Sequence, residues 1–102
     1  MKTNKSVAIE ILRQLGGNKF IAMTGARNFA CDNNSMTFKL SQTMTRDRIS
    51  HIKITLNSMD TYDIKYFNIR GINIREVDTF EGAYNDMLKN VISERTGLAV
   101  TL

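Results

Sequence analysis

The chain has 102 residues, a net charge of +4 at neutral pH, one cysteine and no proline. This length fits a single domain spanning residues 1–102, and 42% hydrophobic residues are enough for a core, which excludes a disordered chain. A single cysteine excludes an internal disulfide framework and fits a reducing cytoplasm. No apolar run approaches the roughly 20 residues of a membrane span, so we expect no membrane association.

The positive charge is concentrated in the middle of the sequence. Residues 13–75 carry ten Lys or Arg and four Asp or Glu, a local charge of +6, whereas residues 76–102 carry two and five, a local charge of −3. This asymmetry predicts two faces of opposite sign. An anionic partner for the basic face is one interpretation, and simple solubility is the other.

The first predicted element is a helix over residues 6–15, because its apolar residues recur at helical spacing. Gly16 and Gly17 are expected to end it, since glycine adopts the left-handed conformation of a helix C-terminus without a Cβ clash. The apolar stripe consists of Val7, Ala8, Ile11, Leu12 and Leu15.

The middle of the chain predicts four strands. Alternation of apolar and polar residues predicts the second and third strands, and residues 57–61 are expected to form a longer hairpin connection between the third and fourth. In the fourth strand the alternation changes phase at Tyr66–Phe67, so we expect a bulge there; without one, Phe67 would be exposed. The strands are residues 20–25, 36–41, 51–57 and 62–70, with a further short extended piece at 72–77.

The C-terminal part predicts a second helix over residues 79–96. Residues 78–81 have the spacing of a capping box, and Gly97 is a natural stop. The tail, residues 98–102, is apolar and is expected to dock on the core or on a partner. The apolar stripe of this helix consists of Phe80, Ala83, Tyr84, Met87, Leu88, Val91 and Ile92.

The predicted order is therefore α-β-β-β-β-α. Short sequential connections favour an antiparallel meander. We expect an α+β domain in which a four-stranded antiparallel sheet carries two helices packed on one face.

The glycines of the segment GGNKFIAMTGARNF, residues 16–29, raise the question of a phosphate-binding loop. The spacing fits neither a P-loop nor a dinucleotide-binding fingerprint. Gly25 to Asn28 is expected to form a turn or a strand bulge, because both residue types tolerate positive φ. The alternative is a small anion-binding nest beside Arg27.

Catalytic and metal chemistry have little support in the sequence. Cys31 and His51 form no recognisable zinc cluster, and no third group orients them as a catalytic dyad. Asp60 and Asp63 fit a solvated turn better than a calcium loop. We expect a protein that is not an enzyme, with no metal and no cofactor.

The strongest candidate site is the outward-facing side of the sheet, where donors and cations recur at strand spacing and suit contact with phosphates. The loop at residues 43–48 adds two arginines, and Arg70 and Arg75 extend the basic area. Aromatic residues interleaved with the cations are missing, although binders of single strands usually present them. A solvated face, or a protein partner, is the alternative. The predicted nucleic-acid-binding residues are Arg27, Lys39, Arg46, Arg48, His51, Lys53 and Lys65.

Four segments carry a resemblance to known sequences: residues 15–20 (LGGNKF), 24–29 (TGARNF), 54–63 (ITLNSMDTYD) and 96–98 (TGL). With them the chain resembles small proteins of bacteriophages and integrated mobile elements, over about residues 10 to 98. The resemblance implies a genomic setting, in the cytoplasm of a bacterial host cell, and no assigned activity.

Two functions follow as hypotheses. The first is a non-enzymatic phage or mobile-element accessory protein that contacts DNA or RNA through the basic sheet face. The second is a protein-interaction module, either an inhibitor of a host factor or a homodimeric adaptor. It rests on the apolar tail, the acidic last helix and open strand edges.

Overall fold

The structure is a computed structural model that describes residues 4–32, 34–40 and 45–97, excluding the side chains of residues 4–8, 23, 46 and 85. The predicted docking of the tail, residues 98–102, lies outside this range. Short 3₁₀ turns occur at Arg46–Arg48 and Asn85–Met87. The longer elements are α1 (Asn4–Leu15), α2 (Asn18–Thr24), β1 (Arg27–Cys31), β2 (Ser35–Lys39), β3 (His51–Leu56), β4 (Tyr62–Arg70), β5 (Asn73–Ala83) and α3 (Leu88–Thr96).

The described strands form one antiparallel sheet in the order β1-β2-β3-β4-β5. The predicted α+β class and antiparallel meander are confirmed. The predicted number of four strands is wrong, because the sheet has five. The first predicted helix is confirmed as α1, and three of the predicted strands correspond to β2, β3 and β4.

The segment predicted as the first strand, residues 20–25, is helical instead. It belongs to α2, which ends at Gly25 in the left-handed conformation, with the Gly25 N–H donating to the Ile21 carbonyl oxygen at 2.9 Å. Phe20 and Thr24 lie one turn apart and are both buried. A short apolar run fits a strand and a buried helix face equally well, and helical spacing of the buried residues decides the outcome here.

The last predicted helix begins later than expected, at Leu88. Residues 79–83 are the end of β5, which pairs with β4 along its length. Asp78 therefore caps no helix; its Oδ1 accepts the Thr79 backbone N–H at 2.8 Å within the strand. Gly82 is unfavourable in a helix interior, and here it has φ +77° at the register shift between the partners of Tyr62 and Ile64.

The core lies on one face of the sheet, which we call the inner face. It is formed by alternate strand residues that are fully or almost fully buried, and all three helices pack against it. Phe20 of α2 meets Phe38 of β2 edge to face, with the ring centroids 5.5 Å apart. Packing of the helices on a single face is thus confirmed. None of the helices in the described ranges has the length and apolar character needed to cross a membrane.

The expected irregularity at Tyr66–Phe67 is present, but in the neighbouring strand. Tyr66 is opposite Asp78 and Phe67 is opposite Glu76, so the extra residue is Val77 of β5. The alternation of β4 therefore continues without a reset. Because of this, Phe67 stays on the outward side, which we call the outer face.

Arg95 of α3 joins three parts of the fold. Its Nε donates to Asp78 Oδ2 at 2.7 Å, and a terminal nitrogen lies 2.9 Å from Asp47 Oδ2. The guanidinium carbon also lies 5.9 Å from the centre of the Tyr66 ring. The buried Tyr66 hydroxyl has no hydrogen-bond partner within the described part of the chain, so Tyr66 interacts with Arg95 through its ring. Arg95 thus connects α3 to β5, to β4 and to the 3₁₀ turn at Arg46–Arg48.

We predict that Arg95→Met lowers the free energy of unfolding at pH 7 by about 1–2 kcal/mol, since it removes two ion pairs and a cation–π contact while keeping the aliphatic stem. The hydrogen bond from Arg95 holds the pKa of Asp78 below its ordinary 3.8, so this stabilisation is present above that pH and is lost as the pH falls through the folded-state pKa. Denaturant unfolding at several pH values measures both effects.

Arg13→Met is the matched control. It removes an exposed pair with Glu10 on α1 and should lower the free energy of unfolding less than Arg95→Met does. Equal losses for the two variants would contradict the joining role of Arg95.

Candidate nucleic-acid interface

Five of the predicted basic residues lie on the outer face, in two adjacent rows that cross the strands. The first row places Arg27 opposite Lys39 and Lys39 opposite His51. The second places Lys53 opposite Lys65. Residues two apart on a strand are separated by about 6.6 Å, so the rows form one continuous basic surface. No described helix covers it, because the helices contribute to the core on the inner face.

The positive charges of this surface form no ion pair with the described residues. None of the five has a carboxylate oxygen within 4.0 Å. Lys53 and Lys65 stand directly opposite each other, an arrangement that destabilises a sheet. Asp63 and Glu76 lie on the same face and hydrogen-bond to neutral groups: Asp63 accepts from the Gly82 N–H at 3.1 Å, and Glu76 accepts from the Thr79 hydroxyl at 3.1 Å.

Phe67 supplies the aromatic ring that the sequence pattern lacked. It is opposite His51 in the first row and is half-buried on the outer face. Lys65 precedes it by two residues on the same strand, so a flat ring adjoins cations on an open sheet. Base stacking on such a ring, with phosphates held by lysines, is the usual mode of binding to single strands.

The surroundings of His51 favour its neutral form by lowering its pKa. Partial burial lowers its pKa below the ordinary 6.5, and the neighbouring Lys39 charge lowers it further. The imidazole Nδ1 lies 2.8 Å from the Ser50 hydroxyl oxygen, which also accepts the Ile69 N–H at 2.9 Å. His51 therefore offers a hydrogen-bonded ring beside Phe67, with a pKa shifted toward lower pH.

Arg48 is not part of the outer face. It lines an open cleft of about 510 Å³ on the inner side of the β4–β5 hairpin, beyond the core, and Arg70 and Arg75 line it too. The expectation that these two residues extend the outward basic area is therefore wrong, since the continued alternation of β4 turns Arg70 inward. The side chain of Arg46, and residues 43–44 of the predicted loop, lie outside the described residues. Asn68 and Asn73 complete the cleft.

The turn or bulge expected at residues 25–28 is confirmed. Gly25 has φ +71° at the end of α2, and Asn28 has φ +55° within β1, where the register with β2 shifts. A Cβ at Gly25 would meet no atom within 4 Å, so its backbone conformation, not a close approach, favours glycine. Arg27 between them extends the first outer row.

The other sequence candidates take structural roles. Cys31 pairs in register with inward-facing Met36, whereas His51 is on the outer face, so the hypothetical dyad does not form. At the hairpin, the Asn57 side chain donates to Asp63 Oδ1 at 3.1 Å, and Asp60 has φ +60° in the turn. Within the described ranges, no group of three or more His, Cys, Asp or Glu side chains is placed to hold a metal.

Sequence parity identified the outward lysines but missed two features. The outward position of Phe67 depends on the bulge being in β5. In the sequence, Phe67 already follows Tyr66 directly and should face the opposite side, but a bulge expected in β4 itself would have turned it inward. Asn68 is buried and donates to the Arg48 carbonyl oxygen at 2.7 Å, a contact between residues 20 apart that no local pattern reveals.

Comparison of the chain with protein-family models, with curated proteins and with solved structures found no match.

Proposed function

We propose that this chain is a non-enzymatic accessory protein of a bacteriophage or mobile element, active in the bacterial cytoplasm, that binds single-stranded nucleic acid through the outer face of its sheet. The observation that carries the proposal is the pair of rings, His51 and Phe67, in two aligned rows with four cations that form no ion pair with a described carboxylate. The genomic setting rests on the sequence resemblance.

The chemistry of this face favours a single strand over a duplex. A single strand exposes base faces, which stack on aromatic side chains regardless of sequence. The lysines then lie where the sugar–phosphate backbone passes, and an anion in that position relieves the repulsion between Lys53 and Lys65. The described helices pack on the inner face, so none of them stands on the outer face to read the edges of paired bases in a groove.

We predict that Lys53→Gln with Lys65→Gln weakens binding to a labelled single-stranded oligonucleotide and lowers the slope of log affinity against log salt by about 1.4, about 0.7 for each phosphate contact. Fluorescence anisotropy at several salt concentrations measures both. Lys19→Gln with Lys89→Gln removes the same charge from α2 and α3 and should leave the slope nearly unchanged. Absence of binding by the native protein at low salt would remove the proposal.

Phe67→Ala should weaken the same complex by about 1–3 kcal/mol of binding free energy while leaving the salt slope unchanged, because stacking contributes no counterion release. Phe29→Ala is the control, since Phe29 is 39% exposed but contacts Phe38 on the inner side. Thermal unfolding verifies that both variants are folded. If Phe29→Ala has the larger effect on binding, the outer face is not the interface.

We predict that His51 titrates below pH 6.5 in the free protein and that Lys39→Gln raises its pKa only part of the way back, because burial remains. Protonation favours the unfolded state, so stability falls as the pH drops from 6.5 through the folded-state pKa. Bound phosphates favour the imidazolium, so affinity rises over the same window. NMR titration of the ring protons measures the pKa, with Lys19→Gln as the control; a pKa at or above 6.5 would be contrary evidence.

The exposed edge of the sheet favours a second candidate function, interaction with a protein. β5 is an edge strand of eleven residues, of which nine are exposed. Ile74 is 69% exposed on it, and Ile72 in the adjoining turn is 97% exposed. Long apolar edges add strands from other chains. A homodimer joined through β5 is the simplest form of this proposal.

If this second function holds, the protein is a dimer in light-scattering measurements, and Ile74→Lys makes it a monomer, because an edge lysine opposes strand addition. Met59→Lys, at the opposite hairpin and 82% exposed, should remain dimeric. A native protein that is monomeric at every concentration tested counts against the homodimer.

A further inference from the structure

The inner side of the β4–β5 hairpin carries a second basic site, distinct from the outer face. Three arginines and two asparagines line its cleft, and no carboxylate of the described residues does so. Its volume of about 510 Å³ is within the range of small-molecule sites. None of the five predicted outer-face residues is among its lining residues, so the two basic surfaces are on opposite sides of the sheet.

The register of the hairpin sets the arginines side by side. Asn68 is opposite Arg75, and Arg70 is opposite Asn73, in two adjacent pairs on one face. Directly opposite residues have Cβ atoms about 4.5–5.5 Å apart, so the four side chains form one cluster of hydrogen-bond donors.

Arg48 is brought to this cluster by a strained turn. Both Arg48 and the preceding Asp47 have φ +54°, in the left-handed region that residues other than glycine seldom adopt. Asn68 donates its side-chain N–H to the Arg48 carbonyl oxygen at 2.7 Å, which fastens the turn to β4. Such conformations persist where the surroundings impose them, and they are frequent at ligand sites.

The same turn directs the adjacent negative charge away from the cleft. The Asp47 carboxylate is paired with Arg95 at 2.9 Å. Glu76, next to Arg75 in sequence, is opposite Phe67 on the outer face. Among the described residues, no carboxylate oxygen lies within 4.0 Å of the guanidinium groups of Arg48, Arg70 or Arg75.

We propose that this arginine cleft binds a terminal phosphate group. Guanidinium groups match phosphate oxygens in bidentate geometry, and several of them together suit the double charge of a phosphate monoester better than the single charge of a phosphodiester. The Asn73 amide adds a neutral donor. The phosphate belongs either to a small phosphate ester or to the 5′ end of a nucleic acid, since both present the same dianion.

The first test uses inorganic phosphate as the probe. Titration followed by ¹H–¹⁵N NMR should shift arginine side-chain and hairpin signals saturably, and chloride at equal ionic strength should not. Arg70→Gln with Arg75→Gln should weaken phosphate binding at least about tenfold, because charge-assisted hydrogen bonds are lost. Lys19→Gln with Lys89→Gln, which removes the same charge from α2 and α3, should leave it unchanged.

The absence of saturable binding, or equal weakening by both double variants, would overturn the arginine cleft as a phosphate site. Both arginines are exposed, so the cleft variant is expected to fold, and its thermal unfolding midpoint verifies this. Arg48→Gln, from a different element, gives an independent second test and should also weaken phosphate binding.

A second experiment distinguishes the sources of the phosphate. Affinity is compared for adenosine 5′-monophosphate, for adenosine, and for one oligonucleotide with a 5′-phosphate or a 5′-hydroxyl. A preference for the phosphorylated oligonucleotide that the cleft variant abolishes supports a nucleic-acid end, and a preference for the monophosphate alone supports a small ester. If adenosine 5′-monophosphate binds no better than adenosine, and the 5′-phosphorylated oligonucleotide no better than the 5′-hydroxyl one, the phosphate proposal is contradicted. That result would not contradict binding of nucleic acid at the outer face.

Discussion

The register of the three central strands is the constraint on which the rest of the molecule depends. β2, β3 and β4 pair without a slip, so Phe38, Ile52 and Tyr66 form one inward row while Lys39, His51 and Phe67 form the adjacent outward row. A shift of one residue in any strand would bury lysines and expose the core. The hydrophobic free energy that fixes the core therefore also aligns the cations.

Much of this central unit could be predicted, because alternation of apolar and polar residues over five or six positions fits few structures other than a strand. The elements at either end of the chain could not be predicted in this way. The apolar run from Phe20 to Thr24 becomes a helix because one of its faces packs on Phe38, a contact with a distant strand. Residues 79–83 fit a helical stripe by spacing alone, yet they add to β4, whose free edge offers backbone partners that the sequence pattern does not show.

The division of the basic residues into two surfaces has the same origin. Parity within a strand assigned the outer lysines correctly, since each assignment needed only neighbouring residues. The side taken by Arg70 depends on whether β4 keeps its alternation beyond Tyr66, and that depends on an extra residue in the partner strand. The position of Arg48 in the cleft is even harder to predict, because it follows from an unusual turn and from a hydrogen bond to Asn68, 20 residues away.

Val77 has a consequence for how the exposed edge of the sheet behaves. The extra residue lets both Val77 and Asp78 turn toward the inner layer, where Val77 packs on the core and Asp78 reaches Arg95. A second register shift lies between the partners of Tyr62 and Ile64. Each shift breaks the repeat of free N–H and C=O groups along β5, so an added strand can continue the ladder only over short stretches. This long edge strand is thus a poor template for the unlimited stacking of copies that an eleven-residue edge would otherwise invite.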